Sequence, residues 1–217
     1  MIVAFDTYYY NGTSYTVGGV FNTWGDKEVS YFVTSKRIGI DSEYIPNEFY
    51  KRELPCIMQC LSMMNVNDIE IIVIDGFVWL PSDDGELKKG LGAILQDEIL
   101  KQYGKKVTVI GIAKNKHRED IKGCVALERG SETKKPLFIT CSNVSLTRQY
   151  ALQIEKMSGG YRIPNIIKSV DSKSRQLSKD DNTVKGLDFD LSDLDEWADK
   201  ELGMSSYDAI NVAALVN

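Results

Sequence analysis

Three carboxylates stand where an apolar core gives little reason for them. Asp6 interrupts the strand-like run "IVAFDTYYY" with no turn residue beside it, and Asp75 closes the β-branched run "IEIIVID" directly before Gly76. Glu53 sits between Arg52 and Leu54 on a stretch whose Leu54, Ile57 and Leu61 claim one face for the core. Taken singly, two have an ordinary explanation, since Asp-Gly is a turn dipeptide and Glu53 fits an exposed helix position, whereas Asp6 is harder to dismiss. Brought together, three carboxylates repel one another, and each pKa rises unless a cation neutralises them. Hard oxygen ligands suit Mg²⁺ or Mn²⁺, which keep waters and bind phosphate oxygens. A metal so held orients or deprotonates a water and stabilises the leaving oxygen in phosphodiester cleavage. Lys114 ends "VTVIGIAK" and reaches the same sheet edge as Asp75 if their strands are parallel neighbours. A lysine there neutralises charge developing on phosphate oxygens or holds the attacking water.

The elements that must position these residues follow from periodicity. "MIVAFDTYYY", "SYTVGGVFNTW" and "VSYFVTS" alternate, with Asn-Gly and "GDKE" as turns, so residues 1–35 read as a three-stranded antiparallel meander. Residues 47–64 carry apolar groups at helical spacing, and "IEIIVID" and "KVTVIGIAK" are near-continuous apolar runs suited to strands buried on both faces. Residues 86–103 read as a helix closed by Gly104, "PLFITCS" as a strand and "SLTRQYALQIEKM" as a helix. A meander followed by strands alternating with helices predicts a mixed α/β sheet covered by helices. Residues 172–195 are polar and poor in periodicity, which predicts a mobile segment, and "YDAINVAALV" reads as a short closing helix. The expected division is therefore a main domain over 1–171 and a polar, acidic extension over 172–217. "GLGAIL" lacks the third glycine and the preceding strand of a dinucleotide loop.

With 217 residues, 43% of them hydrophobic and 26% charged, the chain can bury one good core. No apolar run approaches the roughly 18 residues of a membrane span, and "MIVAFD" lacks the features of a signal peptide, so a cytoplasmic location without membrane contact is expected. Cys56, Cys60, Cys124 and Cys141 form no C-x-x-C pair and His117 is the sole histidine, which argues for free thiols and against zinc. The net charge of −5 is segregated: residues 1–100 carry 7 basic and 15 acidic groups (−8), residues 101–179 carry 17 and 6 (+11), and residues 180–217 carry 2 and 10 (−8). A basic block of that size attracts phosphate backbones. The acidic segment 188–201 is either a solvating extension or a competitor for that basic face.

The same residues carry a recognisable order of motifs. "FD" in the first strand, "YIPNEFYKRELP", "IIVIDG", "GLGAIL", "VIGIAKNK", "PLFITCSNVSL" and "YRIPN" occur as in endonuclease V, the deoxyinosine 3′ endonuclease family, from residue 2 to about residue 171. The resemblance implies an RNase H-like fold, a monomer, and Mg²⁺-dependent hydrolysis (Mn²⁺ as substitute) of DNA or RNA at the second phosphodiester 3′ to an inosine. It assigns catalytic and metal roles to Asp6, Glu53 and Asp75, the active-site lysine to Lys114, and a further metal position to Asp171. Tyr44, Ile45 and Pro46 match the family's wedge, which must be apolar and exposed to replace stacking when a base leaves the duplex. Asn47, Gly76, Ser142 and Asn143 complete the implied substrate contacts. Several positions depart from the family pattern. Asn47 replaces the glycine after the wedge, Pro81 and Gly90 replace histidines, Asp171 stands where histidine is frequent, and Ser142-Asn143 replaces Pro-Gly. The chemistry is thus retained while the base-recognition shell is altered, which leaves open a nuclease of different specificity or a non-catalytic nucleic-acid-binding module on the same fold.

Overall fold

The computed structural model describes residues 1–39, 49–82, 85–130 and 135–184. Strands β1 (Ile2–Tyr10), β2 (Thr13–Phe21) and β3 (Tyr31–Ile38) form the expected antiparallel meander. Asn11 and Gly12 both adopt positive φ, 46° and 67°, as the tight turn between β1 and β2 requires. On its other side β1 pairs in parallel with β4 (Ile71–Asp75), which pairs in parallel with β7 (Thr108–Ala113). Strand β9 (Leu137–Cys141) then runs antiparallel to β7, and β8 (Val125–Leu127) antiparallel to β9. The seven-stranded order is β3-β2-β1-β4-β7-β9-β8, with β5 (Trp79–Pro81) and β6 (Leu87–Lys89) as a separate ribbon. This is the mixed α/β class that the periodicity predicts, and it agrees with the RNase H-like fold that the resemblance implies.

Helices cover both faces because alternate strand residues are apolar on each side. Val3, Phe5, Ile72, Ile74 and Val109 pack with residues of α1 (Phe49–Leu61) and α2 (Leu91–Tyr103). Ile2, Ala4, Val73, Ile110 and Ile112 pack with residues of α3 (Thr147–Lys156) and α4 (Asn165–Val184). Cys56, Cys60 and Cys141 are buried and Cys124 is half-buried, all as free thiols. Among the described residues no helix is long and apolar enough to cross a membrane.

Two elements differ from the sequence expectation. Helix α4 continues to Val184, so residues 172–184 are helical rather than a segment without periodicity. Its buried stripe does have a helical repeat, Ile166, Val170, Ser174 and Ser178, but the last two positions are serines and hide it. Helix α2 begins at Leu91 rather than 86, because Leu87–Lys89 pairs with Trp79–Pro81 and the Gly90 amide donates to the Val78 carbonyl at 2.9 Å. The chain divides into one compact unit, Met1–Ser178, and a second, Lys179–Asn217, described only as far as residue 184. The acidic segment, the expected closing helix, and Tyr44, Ile45, Pro46 and Asn47 all lie outside the described residues.

One glycine fixes how closely α4 approaches the sheet. A Cβ on Gly19 of β2 would stand 2.4 Å from Val170 Cγ2 and 3.0 Å from Val29 Cγ1. Gly19→Ala should therefore push α4 outward and cost about 1–3 kcal/mol through overpacking. Thermal unfolding should show a fall of about 2–4 °C for each kcal/mol in a chain of this size. An unchanged melting temperature would refute the tight contact.

Candidate active site

A simple register rule gathers three of the functional groups. Ala4, Val73 and Ile112 point into the core beneath α3 and α4, so Asp6 and Asp75, two residues further along their strands, and Lys114, one residue past the end of β7, face the same way. Because β1, β4 and β7 are parallel, all three fall toward one edge of the sheet. Asp75 is held there by the turn that follows it. Gly76 adopts φ +109°, its amide donates to the Ile112 carbonyl at 3.3 Å, and the Val78 amide donates to Thr140 Oγ1 at 2.9 Å. The chain crosses directly over Gly111, where a Cβ would meet the Gly76 carbonyl oxygen at 2.4 Å.

The remaining acids come from helices on opposite faces. Glu53 descends from α1 and is only 9% exposed, while Asp171 comes from α4. Asp6, Glu53, Asp75, Gly76, Lys114 and Asp171 all line one cleft of about 290 Å³, walled also by Tyr8, Tyr9 and Arg175. A second, more apolar cavity of about 300 Å³ shares Asp6, Asp75, Lys114 and Asp171 and extends toward Tyr161, Arg162 and Ile167. Lys114 Nζ donates to Asp75 Oδ2 at 2.7 Å and lies 4.0 Å from Asp171 Oδ1. Asp171 also accepts from Arg175 Nε and Nη2 at 3.2 and 3.3 Å. Ser174, fully buried, donates to Asp6 Oδ2 at 2.6 Å, with the Asp171 carbonyl oxygen 2.8 Å from the same hydroxyl.

The backbone of Lys114 is fixed from below. Arg162 donates to its carbonyl and to that of Pro136. The turn carrying Arg162 is tied in turn by the buried Arg129 guanidinium, which donates to the carbonyls of Ile154, Glu155, Met157, Ser158, Gly159 and Tyr161.

Electrostatics divide the acids by depth. Burial pushes the Glu53 carboxyl well above its ordinary value, Asp75 and Asp6 push it further, and Arg52 opposes them. Asp6 is raised mainly by burial and then by Asp171 and Asp75, against the Ser174 hydrogen bond and Lys114. Burial pulls Lys114 down, but its hydrogen bond and charge interaction with Asp75, aided by Asp171 and Asp6, hold the ammonium above its ordinary pKa. Among the described residues no three acidic, histidine or cysteine side chains form a ready-made metal shell. Lys114 and Arg175 lie among the acids instead. The donors are carboxylate oxygens, the type a hard divalent cation takes, and two of them, Asp6 and Glu53, are disfavoured as anions by burial and by neighbouring acids.

Not every expected residue joins the cleft. Ser142 and Asn143 follow β9, whose antiparallel course brings them to the start of β7. There the Ser142 hydroxyl accepts from Val109 N at 3.1 Å and Gln96 Nε2 at 3.0 Å, while Asn143 Oδ1 accepts from Ser145 N at 3.2 Å. Val109 and Lys114 are five residues apart, roughly 16 Å of strand, so these two side chains support the fold at the opposite sheet edge. At Gly90, where the family carries histidine, a Cβ would meet the Phe77 carbonyl oxygen at 2.8 Å. The basic block also disperses. Arg129 is structural, Lys101 and Lys116 pair with Glu98 and Asp120, and Lys114, Arg162 and Arg175 remain around the cleft. Sequence reasoning missed Tyr8, Tyr9, Ser174 and Arg175. The last two stand three and four residues after Asp171, a spacing that becomes informative only once α4 is known to be helical.

No protein-family model matches the chain, and no curated protein matches it in sequence. Solved structures do share its fold. Endonuclease V from Ciona intestinalis, in complex with a 24-mer DNA containing an inosine followed by a ribo-adenosine, superposes with a TM-score of 0.64 at 16% identity, covering 82% of this chain and 86% of its own. The catalytic domain of human endonuclease V gives 0.64 at 14% identity, covering 84% and 83%. The Bacillus subtilis endonuclease V gives 0.56 at 18% identity, covering 84% and 81%. The chain therefore has an endonuclease V-like fold.

The raised Glu53 pKa has a measurable consequence. A carboxyl that binds its proton more tightly when folded makes stability fall as pH rises above its ordinary value of 4.5. Glu53→Gln removes that penalty in a nearly isosteric way. In EDTA the variant should melt higher than the parent at pH 8, with the gap closing toward pH 4. Calorimetric scans across that range would refute the assignment if the variant melted lower at pH 8.

Proposed function

We propose that this chain is a metal-dependent endonuclease that hydrolyses a phosphodiester 3′ to inosine or deoxyinosine in nucleic acid. The observation carrying this reading is that Asp6, Asp75 and Lys114, from three parallel strands, share one open cleft with Glu53 and Asp171, from helices on opposite faces. The endonuclease V-like fold supports it, and the Ciona relative's inosine-containing DNA names the substrate to offer first.

Asp6, Glu53 and Asp75, with Asp171 beside them, are the residues that would hold Mg²⁺ or Mn²⁺. When bound, the ion supplies activation of a water and neutralisation of phosphate charge. Lys114 is placed to donate to a non-bridging phosphate oxygen or to hold the attacking water. Its ammonium stays charged through neutral pH because Asp75 outweighs the effect of burial. Ser174 fixes one oxygen of Asp6 and leaves the other for the cleft. Arg162, acting on the Lys114 carbonyl, is a positioning residue.

A second reading, a nucleic-acid-binding module without catalysis, is favoured by one observation: Asp75 and Asp171 are engaged by Lys114 and Arg175. One experiment separates the two. The parent protein and Asp75→Ala are incubated with Mg²⁺ and end-labelled strands that carry, or lack, a single deoxyinosine or inosine. A Mg²⁺-dependent cut just 3′ to the lesion is expected, falling by about 10²-fold or more in the variant, the scale of losing one preorganised electrostatic group. Cutting that ignores inosine would keep the chemistry and move the specificity. Binding without any cutting would favour the second reading.

A further inference from the structure

Arg175 balances Asp171 and still faces the cleft with donors to spare. Its guanidinium spends two of five N–H groups on Asp171, through Nε and Nη2, and its Cζ stands 5.0 Å from the centre of the Tyr8 ring. Among the described residues no acceptor takes the other three donors. The side chain is 54% exposed and lines the cleft rather than the outer surface of α4. Tyr8 lies two residues beyond Asp6 on the same face of β1, roughly 7 Å along the strand. The aromatic wall and the carboxylate together hold a planar fork at the cleft, directly beside Asp171. Such a fork matches two oxygens of a phosphate, and it stays charged at any working pH.

We propose that Arg175, oriented by Asp171 and backed by Tyr8, binds a backbone phosphate next to the phosphodiester held at Asp6 and Asp75. The inference rests on the nucleic-acid reading above and adds a phosphate subsite to it. Asp171 thereby serves two purposes, facing the acid cluster and fixing the guanidinium. Lys114 and Arg175 flank it as separate cations, one for the reacting phosphate and one for its neighbour.

The test is salt-dependent binding of a fluorescein-labelled single-stranded 20-mer by anisotropy, in EDTA so that no cutting intervenes. A lost phosphate contact makes the slope of log K against log salt shallower by about 0.7 for a single strand. Arg175→Ala should weaken binding and show that change, Arg175→Lys should keep the slope with weaker binding, and Tyr8→Phe should bind as the parent does. Tyr8→Leu should weaken binding about 2–5-fold with the slope kept, on the scale of an exposed cation–π contact. Arg175→Ala also uncovers the Asp171 charge, so Asp171→Asn/Arg175→Ala is measured beside it. If the double variant recovers the parent slope, repulsion from Asp171 explains the effect and the subsite is overturned. A parent slope and affinity in Arg175→Ala overturns it as well, leaving Arg175 as an ion pair. A parent protein that fails to bind the strand at 50 mM salt instead sinks the nucleic-acid reading itself, and this inference with it.

Discussion

Repulsion among four carboxylates in one cleft is the constraint around which the surrounding structure is arranged, and it is met differently at each depth. At the rim, Asp75 and Asp171 are open to water and each has a cation, Lys114 or Arg175, within hydrogen-bond reach. Deeper in, among the described residues, Asp6 has only the Ser174 hydroxyl and Glu53 has no hydrogen-bond donor. The division follows from solvation. A lysine or arginine drawn inward to meet Glu53 would lose its own hydration, and a buried pair repays that loss only with excellent geometry. A small hydroxyl costs far less to bury, so it serves Asp6. Burial disfavours the ionised form first and the neighbouring acids add to it, which is why the two buried acids are the ones pushed up.

Bringing the acids together is mainly backbone work. Parallel pairing of β1, β4 and β7 fixes Asp6, Asp75 and Lys114 on one face. Two close approaches then set the layers above them, with Gly111 letting the chain after Asp75 turn across β7 and Gly19 letting α4 settle onto β2. Neither glycine touches the cleft, yet each sets where a carboxylate lands. Arg129 does the same at longer range, since the turn it ties down carries the arginine that holds Lys114.

The parts of this arrangement that were legible in the sequence are those written in apolar periodicity. The meander, the buried parallel strands and the acids breaking them could be read directly, because a carboxylate inside "IVAFDTYYY" or at the end of "IEIIVID" violates its surroundings. Helix α4 could not, because Ser174 and Ser178 occupy its buried stripe and erase the apolar repeat. That loss also concealed Ser174 and Arg175, whose relation to Asp171 exists only at helical spacing. Ser142 and Asn143 were misplaced for a different reason. Their motif matched, but the antiparallel course of β9, which carries them away from the acids, has no local signature in "PLFITCS". Charge counting failed at the next level, since a block of +11 does not distinguish a buried, structural Arg129 from a cleft residue such as Arg175.

Helix α4 is therefore more than a cover for the sheet. Within little more than one turn it presents Asp171 to the acid cluster, Ser174 to Asp6, and Arg175 to the open side of the cleft. A displacement of the helix would alter all three together, lengthening the Ser174 bond to Asp6 while carrying the guanidinium away from Tyr8. Its height is limited by the contact of Val170 with Gly19, one residue before Asp171. Packing at the sheet surface and electrostatics in the cleft are thus coupled through a single rigid element. That coupling explains why so polar a helix is worth burying on its serine face: the stripe gives up hydrophobic gain at Ser174 and obtains in exchange a fixed orientation for the most deeply placed strand carboxylate.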